Sequence, residues 1–151
     1  MQYKIFLDLD GVMADYAQGM IDLTGKHPDQ HTYASMAIKI NQKGDFFLNL
    51  PMMSDAHTLW QHISHLPIEV LTGASNLKNA IEHKTQWVHN NLAPLTVHVT
   101  RSSKKREFAA PNHILVDDWV RNIGQWEEAG GIGIHHTSAI ETIEKLTKLG
   151  I

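Results

Sequence analysis

Short apolar segments alternate with amphipathic segments along most of this 151-residue chain, and this alternation restricts the fold more than any other feature. The apolar segments have the length and the bounding turn residues of β-strands, and we predict strands at residues 3–9, 68–72, 95–99, 113–117 and 131–135. Apolar residues recur at helical spacing between them, which predicts helices at residues 76–91, 104–110, 119–129 and 137–149. Because strands that alternate with helices are joined by crossovers, the sequence predicts an α/β fold with a five-stranded parallel sheet.

Residues 14–66 break this rhythm, because they are too long for one crossover helix and hold no convincing strand. Helical patterns at residues 13–24, 31–42 and 54–65 predict a mostly helical insertion. We therefore expect a single domain over 1–151 with a small helical cap inserted after the first strand. The cap begins just past Asp10, so it would overhang whatever lies at the end of that strand.

The amino-acid composition excludes several kinds of chemistry and of binding partner. The chain has no cysteine, which excludes disulfides, cysteine-ligated zinc and thiol catalysis. Its net charge of −3 argues against a long nucleic acid as partner. No apolar run has the length of a membrane span, and the first predicted strand begins at once, so we expect no signal peptide, no membrane partner and a cytoplasmic location.

Two carboxylates follow the first predicted strand in the segment Asp8-Leu9-Asp10-Gly11-Val12. Residues i and i+2 of a strand project to the same face, so Asp8 and Asp10 are expected side by side. Carboxylates held that close repel each other unless a cation or a shared proton relieves them. The alternative is a plain strand followed by an Asp-Gly turn.

Polar groups also follow the second and third predicted strands. Thr72-Gly73 offers a hydroxyl and close backbone N–H groups for an anion, or else a plain turn with a helix cap at Ser75 or Asn76. The third strand leads into the densest basic cluster, residues 100–106, and the alternative interpretation of this cluster is a solvated surface segment.

The fourth strand ends in Asp117-Asp118, and the alternative interpretation of this pair is a helix N-cap. In a parallel sheet these four strand ends lie on the same edge. Oxygen ligands without histidine or cysteine select a hard cation, Mg²⁺ before others, and basic groups beside it make a phosphate site. A carboxylate there can attack phosphorus, while a second acts as general acid and base.

This order of motifs resembles the haloacid dehalogenase superfamily of phosphatases. The resemblance rests on Asp8-Leu9-Asp10-Gly11-Val12, Thr72-Gly73, Lys104 or Lys105, and Asp117-Asp118. It implies a Rossmannoid three-layer fold. A narrower match, to the 5'(3')-deoxyribonucleotidase family, is carried by residues 8–16, 46–52 and 114–118 with Asn122-Ile123, Trp126 and 129–131. Members of that family remove phosphate from nucleoside monophosphates, often pyrimidine deoxynucleotides.

The resemblance also implies roles. Asp8 would be the nucleophile and a Mg²⁺ ligand, and Asp10 would protonate the leaving oxygen, activate water and touch the metal through its backbone carbonyl. Asp117 would be a further ligand, with Asp118 close by. The phosphate would be held by the following residues: Leu9, Asp10, Thr72, Gly73 and a lysine. Aromatic residues around the nucleobase would be Tyr16, Phe46 and Phe47, which otherwise simply pack inside the insertion.

This chain departs from the family pattern in several ways, which include a short insertion and a lengthened connection between the basic cluster and the fourth strand. Trp119 stands where the family commonly has arginine after the paired acids. Lys104 and Lys105 are adjacent, so the catalytic lysine is ambiguous; Lys105 is favoured because Phe108 and Ala109 then fall on the inward turn. We thus expect a Mg²⁺-dependent phosphomonoesterase for nucleoside monophosphates. The alternatives are another small phosphate ester, such as a sugar phosphate or a nucleic-acid end, and a non-catalytic phosphate- or nucleotide-binding module.

Overall fold

A five-stranded sheet with every strand parallel forms the centre of the molecule, as the sequence predicts. The structure is a computed structural model, and it describes residues 2–74 and 76–151. The strands lie in the order β3-β2-β1-β4-β5. Their bounds are β1 Lys4–Leu7, β2 Ile68–Thr72, β3 Val97–Val99, β4 His113–Asp117 and β5 Ile132–His135. β3 is shorter than predicted at its start, where the Leu95 N–H group donates to the Ala93 carbonyl in a turn.

Six α-helices are found in the described part of the chain, close to the predicted positions. They are α1 Tyr16–Thr24, α2 Tyr33–Lys43, α3 Ala56–Ile63, α4 Ala80–Asn91, α5 Val120–Glu128 and α6 Ala139–Lys148. Short 3-10 helices cover Pro28–Gln30, Phe47–Asn49 and Ser102–Phe108. The last of these replaces the helix predicted at 104–110.

Two helix starts deserve comparison with the sequence. α4 begins after Asn79, whose φ of 59° is left-handed, so the predicted start at residue 76 is wrong and Asn76 is not its N-cap. Ser75 lies outside the described residues. α6 begins as predicted, with the Ser138 side chain accepting from the Glu141 N–H group.

Both faces of the sheet are covered, which gives the three layers that the resemblance implies. Alternate strand residues point to opposite faces. Ile5, Leu7 and Val116 belong to the larger core with residues of α3, α4 and α6. Phe6, Leu71 and Leu115 pack on the other face, against Ile123 and Trp126 of α5.

The segment between β1 and β2 divides into parts with different neighbours. α3 packs against α6, and the Asp55 carboxylate before it accepts from the Ala139 N–H group at 2.7 Å. The 3-10 helix at 47–49 instead packs against α4, where the Trp87 indole donates to the Leu50 carbonyl at 2.8 Å. Within residues 2–74 and 76–151, no helix has the length and apolar character needed to cross a membrane.

Candidate active site

Three carboxylates meet at the carboxyl edge of the sheet. Asp8 directly follows β1 and continues its ladder, because its N–H group donates to the Val116 carbonyl at 3.0 Å. Asp117 is the last residue of the neighbouring strand β4. Carboxylate oxygens of Asp8, Asp117 and Asp118 all lie within 4.8 Å of one another. The predicted pairing of strand ends therefore brings these acids together, while Asp10 stands outside the group of three.

A buried lysine neutralises part of this charge. The Nζ atom of Lys105 lies 3.0 Å from Asp8 Oδ1 and 2.8 Å from Asp117 Oδ2, and its side chain is 3% exposed. Burial by itself would lower the pKa of Lys105, but the charges of Asp8 and Asp117 outweigh it and the pKa is raised. Lys105 is therefore a permanent cation.

Lys104 lies outside this group. Its side chain is exposed and pairs with Glu107 at 3.3 Å. The 3-10 helix at 102–108 turns neighbouring residues to different sides, so only one of the two lysines reaches the carboxylates.

A second buried lysine, which the sequence analysis missed, lies on α4. The Nζ atom of Lys84 donates to Asp10 Oδ2 and to Thr72 Oγ1, both at 2.9 Å. Lys84 is in phase with Ala80, Trp87 and Val88, the other buried residues of this helix. That position on the apolar stripe was the signal in the sequence, because a lysine there must find a buried partner.

A tight loop carries Asp10. The Leu9 carbonyl accepts from the N–H groups of Val12, Met13 and Ala14 at 3.0, 2.8 and 2.9 Å. Gly11 adopts a left-handed φ of 82°, and a Cβ atom there would lie 2.0 Å from Asp118 Oδ2. This loop therefore requires glycine at position 11 for its backbone conformation and for the close approach of Asp118.

The three neighbouring aspartates carry more acidic groups than the single lysine beside them can neutralise. Burial raises the pKa of Asp8 well above its ordinary value, with Lys105 opposing the rise and Asp117 adding to it. Restricted hydration and the charge of Asp117 raise the pKa of Asp118 to about 6. Three oxygen donors that repel one another in this way fit a hard divalent cation such as Mg²⁺.

Asp117 is held by further donors. Its Oδ1 atom accepts from the Trp119 N–H group at 2.9 Å, and its Oδ2 atom accepts from Asn122 Nδ2 at 3.0 Å. Both donors come from the start of α5, so the helix that follows β4 fixes the orientation of this carboxylate.

An open cavity of about 670 Å³ lies over the carboxylates. Its lining includes Asp8, Asp10, Lys105, Gly73 and Tyr16, and the insertion contributes Pro28, Asp29 and Met36. Thr72, at the end of β2, is fully buried next to Gly73 of the lining. The cavity thus brings together residues that follow four different strands.

The three predicted aromatic residues take different positions. Tyr16 lines the main cavity, and burial together with the charge of Asp10 raises its pKa to about 12. Phe47 is buried and lines an adjoining cavity of about 330 Å³ that also contains Gly73. Phe46 lines a separate cavity of about 320 Å³ within the insertion.

Comparisons with known proteins identify the fold. No family model and no curated protein matches the sequence. A hydrolase from Streptococcus pneumoniae TIGR4 superposes with a TM-score of 0.60 at 16% identity, over 97% of this chain and 100% of that chain. The chain has the fold of the haloacid dehalogenase-like hydrolases.

Two further solved structures show the same fold. L-2-haloacid dehalogenase from Xanthobacter autotrophicus gives a TM-score of 0.58 at 10% identity, over 97% of this chain and 88% of that chain. A HAD family hydrolase from Deinococcus radiodurans R1, with bound phosphate and sodium, gives 0.54 at 11% identity, over 87% of this chain and 79% of that chain.

Proposed function

We propose that the protein is a Mg²⁺-dependent phosphomonoesterase that forms an aspartyl-phosphate on Asp8 and acts on nucleoside monophosphates. The observation that carries the proposal is the position of Asp8, at the end of β1 beneath an open cavity and in contact with the permanent cation Lys105. The fold supports it, since one neighbour of the same fold holds a phosphate ion.

The reaction would proceed in two displacements. In the first, a carboxylate oxygen of Asp8 bonds to phosphorus, the ester P–O bond breaks, and Asp10 gives a proton to the leaving oxygen. In the second, Asp10 takes a proton from water, the water oxygen bonds to phosphorus, and the bond to Asp8 breaks to release phosphate. Asp10 suits this work because its carboxylate lines the same cavity as Asp8, while Lys84 holds one of its oxygens.

The remaining polar groups would bind the phosphate. Mg²⁺ held by Asp8, Asp117 and Asp118, with the Asp10 carbonyl, would supply positive charge that neutralises and orients the phosphoryl group. The Thr72 hydroxyl and the backbone from Leu9 to Asp10 and at Gly73 would donate to phosphate oxygens, and Lys105 would neutralise charge on Asp8. Lys104 has no part in this proposal, because its side chain pairs with Glu107 at the surface.

The walls of the cavity support the choice of a nucleoside monophosphate as substrate. Tyr16 and Trp119 both line it, and Trp119 is 50% exposed, so its ring is available for a base to stack on. Phe47 lies on the adjoining cavity, and the insertion, proposed as the cap, contributes Tyr16 to the lining. A sugar phosphate would use the same chemistry without this stacking surface.

An aryl phosphate assay with and without Mg²⁺ tests the chemistry. We expect Mg²⁺-dependent turnover by the wild type and none by Asp8→Asn. Asp22→Asn serves as the matched control, because Asp22 is an exposed residue of α1 that accepts from Gln18 at 2.8 Å. The absence of metal-dependent turnover on any phosphate ester would refute the enzyme proposal and leave a phosphate-binding module.

A panel of substrates tests the specificity. Nucleoside monophosphates with each base, in ribose and deoxyribose forms, would be compared with sugar phosphates and with a 5'-phosphorylated oligonucleotide. We expect the highest kcat/KM among the nucleoside monophosphates. A higher value for a sugar phosphate or for the oligonucleotide would replace the nucleotide by that substrate class.

A further inference from the structure

Lys84 occupies a buried position where an apolar residue would cost less free energy of desolvation. Its side chain is 2% exposed, and it lies on the face of α4 that also buries Ala80, Trp87 and Val88. A buried ammonium loses its hydration, and well-packed apolar residues often stabilise such a site as well or better. The cost of this lysine therefore points to a task other than packing.

Its three neighbours account for the whole ammonium group. Asp10 Oδ2 and Thr72 Oγ1 each lie 2.9 Å from Nζ, and the centre of the Phe47 ring lies 4.6 Å away. Two hydrogen bonds and one cation–π contact use all the directions that the group offers. The position of Nζ is therefore fixed from three sides.

The contact with Thr72 sets the direction of its hydroxyl proton. An ammonium group only donates, so Thr72 Oγ1 must accept from Lys84. The hydroxyl proton of Thr72 then points away from the lysine. If the proposed function holds, that proton is directed to a phosphate oxygen rather than free to rotate.

The contact with Asp10 selects one of its two oxygens. Lys84 holds Oδ2, which favours Oδ1 as the atom that exchanges a proton with the leaving oxygen and with water. Asp10 is 29% exposed as a side chain, so a carboxylate at the cavity is anchored by a cation below it. Lys105 performs the matching task for Asp8 and Asp117.

We propose that Lys84 is a positioning residue that orients the Asp10 carboxylate for proton transfer and the Thr72 hydroxyl for phosphate binding. The proposal rests on the proposed phosphomonoesterase function. The two buried lysines then have different roles. Lys105 neutralises the acids at the ends of β1 and β4, and Lys84 orients Asp10, the residue that transfers the proton.

The dependence of kcat/KM on the leaving group tests this role. This parameter reports the step that breaks the ester bond, where a poor leaving group needs protonation and a good one does not. Lys84→Met, of similar length, should lower kcat/KM on an alkyl phosphate by about 30-fold or more, a part of the roughly 10²–10⁴-fold that general acid catalysis provides. On 2,4-dinitrophenyl phosphate the decrease should be about threefold or less.

A structural role would give a different result, because a smaller folded fraction lowers both rates equally. Thermal unfolding of the variant, and the exposed Lys78→Met just before α4 as control, complete the comparison. An equal loss on both substrates, no loss on either, or the same split in Lys78→Met overturns the proposal.

Binding of inorganic phosphate provides a readout that does not need turnover. Calorimetry in the presence of Mg²⁺ should show about tenfold weaker binding for Lys84→Met and for Thr72→Val, of the size expected for a hydrogen bond to a charged group. The double variant should bind no more weakly than either single one. If the losses of phosphate affinity in the two single variants multiply in the double variant, Lys84 does not act on phosphate through Thr72. A wild type that binds no phosphate overturns this role as well. Coupled binding without any turnover instead refutes only the phosphatase proposal.

Discussion

Replacement of Lys105 by methionine should destabilise the protein strongly and make its stability depend on Mg²⁺. Lys105 has a 3% exposed side chain and contacts Asp8 and Asp117, whose side chains are 8% and 0% exposed. Removal of one partner from a buried ion pair costs about 3–5 kcal/mol, because the other charge stays buried without compensation. For a domain of this size that is a decrease of about 6–20 °C in Tm, at roughly 2–4 °C per kcal/mol.

Lys104→Met is the matched control. The Lys104–Glu107 pair is 57% and 62% exposed, and pairs of this kind contribute about 1 kcal/mol or less. Urea unfolding of both variants and the wild type, with EDTA and with added Mg²⁺, gives the comparison. We expect Mg²⁺ to stabilise Lys105→Met more than the wild type, since a divalent cation replaces the missing positive charge.

A combination with Asp8→Asn tests the cause. Once the Asp8 charge is gone, less uncompensated charge remains, so the double variant should be more stable than Lys105→Met alone. Equal, small losses of stability in Lys104→Met and Lys105→Met would refute the reasoning, and so would a large loss that neither Mg²⁺ nor Asp8→Asn reduces.

Three other measurements follow from the geometry. Gly11→Ala should lower phosphatase activity about tenfold or more, since the new Cβ atom would lie 2.0 Å from Asp118 Oδ2 and the left-handed backbone disfavours any side chain. Gly25→Ala is the control, because Gly25 has a similar φ of 77° with open space around it, and it should cost only about 1 kcal/mol of stability. Trp119→Ala should raise KM for nucleoside monophosphates more than for a sugar phosphate with little change in Tm; equal changes would remove the stacking role. Burial lowers the pKa of His136, so the unfolded chain binds the proton more readily and stability should fall as pH drops below about 6.5. Urea unfolding of His136→Gln between pH 7.5 and 5.5 should show a smaller fall than the wild type.

Most of the fold followed from the sequence because its signals are local. Each of the five strands is a short apolar run, and the polar residue that ends it marks the edge of the sheet. Asp8 and Asp117 could be placed together for that reason, since neighbouring parallel strands end on the same edge.

What the sequence did not reveal depends on contacts between distant elements. In the sequence Lys84 resembles an ordinary helix residue, because its partner Asp10 is 74 positions away along the chain. The two meet only when α4 packs against the sheet. For the adjacent lysines, Phe108 and Ala109 favour Lys105 in the sequence, and the path of the 3-10 helix determines that Lys105 lies against the carboxylates while Lys104 lies at the surface. The start of α4 was predicted too early because the left-handed turn at Asn79 has no apolar signature.

Helix α4 contacts both the candidate site, through Lys84, and the insertion, through Trp87, so a probe on this helix can report motion of the insertion. Trp87 lies one turn beyond Lys84 on α4, and its buried indole donates to the Leu50 carbonyl in the insertion. Any displacement of that part of the insertion that breaks this bond exposes the indole proton to solvent. Solvent exchange of a single NMR signal, from the indole of Trp87, therefore reports how often this part of the insertion separates from α4.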